Sequence, residues 1–190
     1  MSAQFTAFLD TNVLYDAPLR DLLLEMAVAD LFQARWSIQV LEELRRVFAK
    51  ERPDIGPAAV DRLIELMNAH VRDSLVDCPP ALTKAITLPD KEDRHVVAAA
   101  LQSRAHAIVT WNLRDFPADV LASYRLEAID PDAFLLAQWD LDQGRFMSCV
   151  ATVRRRLHRP AVDANRYIDI LIRHGLVGTG ARLREVADFI

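Results

Sequence analysis

The sequence predicts an α/β fold in which a central parallel sheet is flanked by helices and followed by a small C-terminal helical extension. Short apolar runs alternate with longer segments of helical periodicity as far as Trp139, which is typical of a parallel sheet covered on both faces. A hydrophobic fraction of 52% over 190 residues supports a sizeable core and argues against disorder. Beyond Trp139 only helical periodicity remains.

The first predicted elements are a strand, a helix and a short extended segment. Phe5–Leu9 is an apolar run that predicts a buried strand. Pro18 favours the first turn of a helix, which we expect to reach about Phe32. Trp36 then lies in a very short segment that we expect to be extended.

Two helices and a second strand are predicted next. Ser37 is a favourable N-cap for a helix that ends near Lys50. Pro57 begins another helix, whose apolar residues recur on one face. Leu75–Val76 is a candidate strand, and the following CPP sequence ends it.

The later part of the α/β region continues this alternation. Asp90 and Asp130 each have the position of an N-cap, and the proline after Asp130 favours a first helical turn. The predicted elements are a helix over 90–104, a strand over 107–110, a short helix over 117–123, a strand over 126–129 and a helix over 131–139.

The pattern predicts two domains, one over residues 1–139 and a helical extension over residues 140–190. Net charge also changes at this boundary, from −7 over residues 1–139 to +3 over residues 140–190. A basic extension can contact phosphate groups, although the charges taken alone are better explained as ordinary solvated surface.

Composition argues against several classes of protein. No apolar stretch reaches 18 residues and the first residues lack a basic n-region, so neither a transmembrane helix nor a secretion signal is expected. The two cysteines, Cys78 and Cys149, fit a reducing compartment, and we expect a cytoplasmic protein. The five histidines show no paired ligand spacing, which argues against a zinc site.

Four acidic residues stand where an apolar run meets a turn or a helix, namely Asp10, Glu43, Asp93 and Asp115. Gathering carboxylates is costly, because like charges raise one another's pKa and burial adds a desolvation cost. A fold that brings several together usually does so to hold a divalent cation, and oxygen ligands of this kind suit Mg²⁺ or Mn²⁺. The pattern therefore indicates a metal-dependent enzyme that acts on phosphate.

Helical geometry separates two of these acids from their neighbours. At about 100° per residue, Glu43 lies at the margin of the apolar arc of its helix, whereas Glu42 points into solvent. Asp93 lies one turn before Val97 on a buried face, where a carboxylate needs a partner. Ordinary structural roles also stay open, because Asp10 and Asp93 can cap a turn or a helix and Glu43 can be a half-solvated boundary residue.

Polar residues near the predicted strand ends complete the candidate site. Asn12, Thr110 and Asn112 can orient metal ligands or bind phosphate, and each is also common in turns. We include all three as candidate substrate-binding residues.

In their order along the chain these motifs resemble those of the PIN-domain nucleases, and especially the VapC-like toxins of prokaryotic toxin–antitoxin pairs. The matching segments span about residues 5–135 and are FLDTNVL, VLEEL, LPDKEDRHVVAAAL and IVTWNLRDFP. The extension is similar to that of a longer VapC-like subgroup. The resemblance implies a three-layer PIN-like fold and a ribonuclease that depends on Mg²⁺ or Mn²⁺.

The resemblance also implies site residues and partners. The acidic residues of the family correspond to Asp10, Glu43, Asp93, Asp115 and, as an auxiliary acid, Asp90. Such a site activates a water through the metal, and Glu43 would help to position or deprotonate that water. Arg114, with Arg45 and Arg46, lies beside these motifs as a candidate contact for RNA phosphates. An antitoxin protein and a homodimer are the implied partners.

Three other interpretations stay open. A PIN-like module can bind RNA or a partner without cutting, and a nuclease of RNA processing can act without an antitoxin. A phosphohydrolase with an aspartyl nucleophile after the first strand generally has a second Asp two residues later, where this chain has Asn12.

Overall fold

A computed structural model describes residues 5–190. Within this range a parallel five-stranded sheet has the strand order β3-β2-β1-β4-β5. The strands are β1 (Thr6–Leu9), β2 (Gln33–Ser37), β3 (Leu75–Val76), β4 (Ala107–Val109) and β5 (Glu127–Ile129). Each lies where the sequence predicts an extended segment, and the α/β fold class is confirmed.

Helices flank the sheet, and their bounds in the α/β region are α1 (Thr11–Tyr15), α2 (Ala17–Val28), α3 (Ile38–Glu51), α4 (Pro57–His70), α5 (Pro80–Ala85), α6 (Arg94–Gln102), α7 (Ala118–Ser123) and α8 (Pro131–Leu141). Two predicted N-caps are confirmed. Ser37 Oγ accepts a hydrogen bond from the Val40 N–H at 3.2 Å, and Asp130 Oδ1 accepts from the Asp132 N–H at 2.9 Å.

Some helix boundaries differ from the prediction. The helix that begins near Pro18 ends at Val28 instead of near Phe32, because the chain turns through Asp30 in the left-handed region (φ 56°) and buries Phe32 before β2. The short helices α1 and α5 are absent from the prediction, because five or six residues are too few to show helical periodicity.

The prediction that Asp90 caps the helix carrying Asp93 is wrong. That helix, α6, begins only at Arg94, and its N-cap position is Asp93, whose side chain makes no capping hydrogen bond. Asp90 Oδ1 instead accepts a hydrogen bond from the Glu92 N–H at 2.8 Å. This local turn satisfies the backbone before the helix starts.

The middle of the sheet is buried from both sides. Ala7, Phe8 and Leu9 of β1 are fully buried, which explains why this strand is a continuous apolar run. Trp36 of β2 is also fully buried, and its Nε1–H donates to Asn68 Oδ1 at 2.8 Å. The central strand is thus held firmly at the point where its carboxyl end emerges.

The extension is helical, as predicted, with α9 (Gln143–Arg156), α10 (Ala164–Arg173), α11 (Val177–Glu185) and a final 3-10 turn (Ala187–Phe189). Helix α9 packs along α2, and α10 contacts both α2 and α11. At Gly180 a Cβ would lie 2.3 Å from Ile172 Cγ1, so only glycine permits this close approach of α10 and α11.

One carboxylate of the α/β region joins the extension to α8. Asp132 accepts hydrogen bonds from the Gly178 and Thr179 N–H groups at 2.7 and 2.8 Å, at the start of α11. These N–H groups have no partner within their helix, so the contact caps α11. In the described part of the chain, no helix is both long and apolar enough to cross a membrane.

Candidate active site

The candidate site lies at the carboxyl edge of the sheet, where β1 and β4 are neighbours. Leu9 pairs with Val109, so the next residues, Asp10 and Thr110, emerge side by side. The chain runs outward from β1 through β2 to β3 and then crosses back to β4, which makes this position a topological switch point. Open parallel sheets bind ligands at such a point, outside the carboxyl ends of the strands.

Both carboxylate oxygens of Asp10 accept hydrogen bonds, and the residue is only 7% exposed. Oδ1 accepts from the Thr11 N–H at 2.7 Å, and Oδ2 accepts from Asn12 Nδ2 and Thr110 Oγ1, each at 2.7 Å. Burial raises the pKa of Asp10 above its ordinary value, and the charge of Glu43 adds to this, while the hydrogen bonds from Thr110 and Thr11 oppose it. Asp10 is thus a rigidly oriented carboxylate that also caps α1.

Asn12 and Thr110 connect the two strand ends around this carboxylate. Asn12 Nδ2 donates a second hydrogen bond to Thr110 Oγ1 at 3.0 Å, and Asn12 Oδ1 accepts from the Trp111 N–H at 3.1 Å. Thr110 is fully buried, and its Oγ1 also accepts from the Asn112 N–H at 3.0 Å. We call Asp10, Asn12 and Thr110 the Asp10 network. Of the two roles considered for Asn12 and Thr110, these contacts favour orienting a ligand.

Glu43, in the second turn of α3, is held by two donors. Thr11 Oγ1 donates to Oε2 at 2.7 Å, and His95 Nε2 lies 2.9 Å from Oε1. Because an ionised carboxylate only accepts, the shared proton of that contact belongs to Nε2. Burial alone raises the pKa of Glu43, but the hydrogen bonds from His95 and Thr11 outweigh it, and the pKa is lowered overall. Glu42 is exposed, as predicted.

Asp93 is half-buried immediately before α6, and its pKa is raised to about 6. Desolvation is the largest cause, and the negative charges of Asp10, Asp115, Asp90 and Glu43 follow in that order. A carboxyl group feels four others in this way only when all of them lie nearby. The fold therefore brings acids that are far apart in the sequence into one region.

The loop after β4 carries the last of these acids. Asp115 ends a 3-10 turn (Leu113–Asp115), and Asn112 Nδ2 donates to Asp115 Oδ2. Asn112 and Arg114 are exposed on the same turn. Their exposure leaves both side chains accessible to a substrate that approaches the acidic region.

The remaining charged candidates differ in how they face this region. Asp90 is exposed, and its negative charge contributes to the raised pKa of Asp93. Arg46 Nη2 lies 3.7 Å from Glu43 Oε1, so it borders the site. Arg45 Nε instead pairs with Asp61 of α4 at 2.7 Å. Of the two arginines on α3, Arg46 is therefore the one adjacent to the acids.

His95 contacts the candidate site through Glu43, although the spacing of the histidines in the sequence does not mark it as a site residue. Its side chain is 12% exposed, and its Nδ1 is buried without a hydrogen-bond partner in residues 5–190. Paired ligand spacing is a feature of zinc sites and does not mark a histidine that orients a carboxylate. The signal that the sequence offered was closeness to a candidate acid, because His95 lies two residues after Asp93, in the first turn of α6.

The donor set fits a hard divalent cation, because it consists of carboxylates, and after desolvation their negative charges raise the pKa of Asp93. No three His, Cys, Asp or Glu side chains in residues 5–190 lie close enough to enclose an ion by themselves. The two observations together describe an open acidic region. Such a region suits Mg²⁺, which keeps several waters and commonly uses one or two carboxylates together with substrate phosphate.

Two family models match the chain. A model described as "PIN domain" matches residues 6–114, and a model described as "VapC50 C-terminal domain" matches residues 131–185. The first match covers more than half of the chain. The chain therefore belongs to the PIN-domain family, and its C-terminal part is similar to the VapC50 C-terminal domain.

Within that family, the chain is similar to the protein named "Putative ribonuclease VapC50" of Mycobacterium tuberculosis (strain ATCC 25618 / H37Rv). The two are 56% identical over 50 residues, which is 26% of this chain and 30% of the relative. The match thus spans less than a third of that relative's length. No solved structure matches the chain significantly.

Proposed function

We propose that this protein is a metal-dependent ribonuclease that hydrolyses RNA phosphodiester bonds, and that it is the toxin of a type II toxin–antitoxin system. The observation that carries the proposal is that Thr11, at the switch point of the sheet, donates its N–H to Asp10 and its hydroxyl to Glu43, each at 2.7 Å, and so joins two acids that are distant in the sequence. The raised pKa of Asp93, caused first by desolvation and then by the charges of Asp10, Asp115, Asp90 and Glu43, supports the proposal. Membership of the PIN-domain family and the printed name of the relative support the same activity.

We assign the binding of Mg²⁺ or Mn²⁺ to Asp10, Glu43, Asp93 and Asp115, with Asp90 as an auxiliary acid. A bound divalent ion supplies a water of lowered pKa and stabilises the charge on the phosphate. The chain itself contributes the orientation of the carboxylates, and the Asp10 network does most of this for Asp10. A carboxylate that is already oriented loses little freedom when it binds an ion.

Glu43 is assigned to the attacking water. Its lowered pKa keeps it ionised at neutral pH, so it can accept a hydrogen bond from that water and align it with the phosphorus. His95 and Thr11 hold one oxygen each, which restricts the rotation of the carboxylate. In this assignment Glu43 positions the nucleophile and His95 positions Glu43.

Substrate contacts are assigned to the exposed side chains Asn112 and Arg114, which stand on the same turn as Asp115. A guanidinium group matches phosphate geometry and neutralises part of its charge. The net charge of +3 over residues 140–190 offers a further surface for the RNA backbone.

The proposal includes partners and organisation. We propose that residues 1–139 act as the nuclease domain and residues 140–190 as its helical extension. We propose also that the protein works in the cytoplasm, as a homodimer, and under the control of an antitoxin protein that covers the acidic region. Both cysteines are free and buried, which is consistent with a reducing compartment.

A second candidate function is a PIN-like module that binds RNA or a partner without cutting. One observation favours it, namely that the described residues include no group of three side chains at metal-binding distances. The two candidates differ in what Asp10→Asn does. The substitution abolishes both Mn²⁺ binding and cleavage in a nuclease, whereas RNA binding survives it in a module that does not cut.

The test is cleavage of RNA by the purified protein with Mn²⁺, followed by sequencing of the new RNA ends. We expect cleavage that EDTA stops and that Asp10→Asn lacks, while circular dichroism shows that the variant is folded. Cleavage no greater than that of Asp10→Asn would rule out the enzyme. End sequencing after expression in cells would identify the target RNA.

A further inference from the structure

The turn after α10 lies directly against the loop that follows β4. Gly175 has a φ of 88°, in the left-handed region that favours glycine. A Cβ at this position would lie 3.0 Å from Cη2 of Trp111 and 3.4 and 3.5 Å from two other atoms of the indole ring. The backbone of the extension therefore rests on the Trp111 ring, and a side chain at position 175 would require the ring to move by a few tenths of an ångström.

Trp111 is connected to the Asp10 network through its backbone. Its N–H donates to Asn12 Oδ1 at 3.1 Å, and Asn12 Nδ2 donates to Asp10 Oδ2 at 2.7 Å. The loop that begins at Trp111 also continues to Asp115. A displacement of the Trp111 ring would thus change the positions of Asp10 and Asp115, two of the four candidate ligands.

The same turn makes a second contact with the framework of the site. His174 Nδ1 lies 2.9 Å from Asp16 Oδ1, and Asp16 is the residue between α1 and α2. Helix α1 carries Thr11 and Asn12, which donate to the acids. Residues 174–175 therefore contact both the end of α1 and the loop after β4.

We propose that the turn formed by His174 and Gly175 is a positioning element of the candidate active site. It restrains α1 and the Trp111 loop, so that Asn12 keeps Asp10 and its neighbours in their orientation. The extension is then part of the framework of the site instead of an independent appendage. The restraint of α1 and of the Trp111 loop is inferred from these contacts alone. The effect on catalysis rests on the proposed function. Preorganisation of this kind matters because small displacements of a catalytic group reduce the rate strongly.

The test uses Gly175→Ala with Gly178→Ala as a matched control. Both substitutions add a single methyl group to the extension. At Gly175 the added Cβ meets Trp111, whereas at Gly178 it meets Leu136 Cδ1 at 2.9 Å and Asp132 Oδ2 at 3.1 Å, both on α8. Trp111→Phe is a second test variant, which shortens the ring and keeps the backbone N–H.

The first readout is hydrogen exchange of the Trp111 amide in the metal-free protein. An alanine in the left-handed region is disfavoured by an amount that corresponds to a factor of roughly five to thirty. We expect Gly175→Ala to accelerate this exchange by about that factor, Trp111→Phe to accelerate it as well, and Gly178→Ala to leave it unchanged. Equal acceleration in Gly175→Ala and Gly178→Ala, or none in Gly175→Ala and Trp111→Phe, would overturn the proposal.

The second readout is RNA cleavage with Mn²⁺. We expect Gly175→Ala to lower kcat and leave KM unchanged, because the turn orients the acids and does not touch RNA. A changed KM with an unchanged kcat would overturn the positioning role. If the wild-type protein neither binds Mn²⁺ nor cuts RNA, the proposed function fails, and the exchange measurement still decides whether the turn holds the Trp111 loop.

Discussion

Replacing Thr110 with valine tests the centre of the Asp10 network. Valine has nearly the shape of threonine, so the substitution removes the hydroxyl and leaves the packing almost intact. The hydroxyl donates to Asp10 Oδ2 at 2.7 Å and accepts from Asn12 Nδ2 and the Asn112 N–H, each at 3.0 Å. All of these contacts are made by a fully buried side chain.

The expected cost follows from those contacts. A hydrogen bond to a charged group contributes about 1.5–3 kcal/mol, and a neutral one contributes about 0.5–1.5 kcal/mol. Because part of the cost of burying the hydroxyl disappears with it, we expect Thr110→Val to lower the free energy of unfolding by about 2–4 kcal/mol. The pKa of Asp10 should also rise further, because the Thr110 hydrogen bond lowers it.

Urea denaturation measures this change, with Thr179→Val as the matched control. Thr179 is 1% exposed, and its Oγ1 has no hydrogen-bond partner in the described part of the chain. Its replacement should therefore be neutral or stabilising. At a slope of about 2 kcal/mol per molar urea, the Thr110→Val midpoint should fall by roughly 1–2 M. Equal midpoints for the two variants would refute the reasoning.

Three further outcomes are expected. In the metal-free protein the melting temperature should fall as the pH rises through about 6, because Asp93 has a raised pKa and favours the folded state only while protonated. Calorimetry at several pH values should show that Mg²⁺ or Asp93→Asn reduces this dependence on pH. An unreduced dependence would mean that Asp93 does not cause it. His95→Phe removes a hydrogen bond that lowers the pKa of Glu43, so cleavage assays should show a larger loss at acidic than at neutral pH, and a uniform loss would count against it. Asp132→Ala uncaps α11 and should lower the free energy of unfolding in urea by about 1–2 kcal/mol, whereas no change would mean that water replaces the cap.

The main elements of the fold could be predicted because their signals are local. The apolar run of β1 and the caps Ser37 and Asp130 act over a few residues, so the sequence contains them directly. Helix α1 could not be predicted, since its five residues are held by Asp10 and by packing against α3 instead of by periodicity. Asp90 shows the limit of a cap signature, because it forms a turn before α6 instead of capping it.

The acids proposed for the candidate site could be selected from the sequence, but their hydrogen-bond partners could not. The four acids could be named because each ends an apolar run or borders a buried face. Their hydrogen-bond partners lie up to 100 positions away, as Thr110 does from Asp10, and no local pattern relates such residues. His95 shows this most clearly, because its contact with Glu43 spans 52 positions and has no sequence signature.

The chain by itself thus determined which residues are acidic, where the strands and most helices lie, and that the last 51 residues are helical. The tertiary structure alone decided that β1 and β4 are neighbours, that Asn12 and Thr110 share Asp10, and that Gly175 rests on Trp111. The physical reason is range: propensities, caps and periodicity act within a few residues. Strand order and side-chain contacts between distant segments arise only when the whole core packs together.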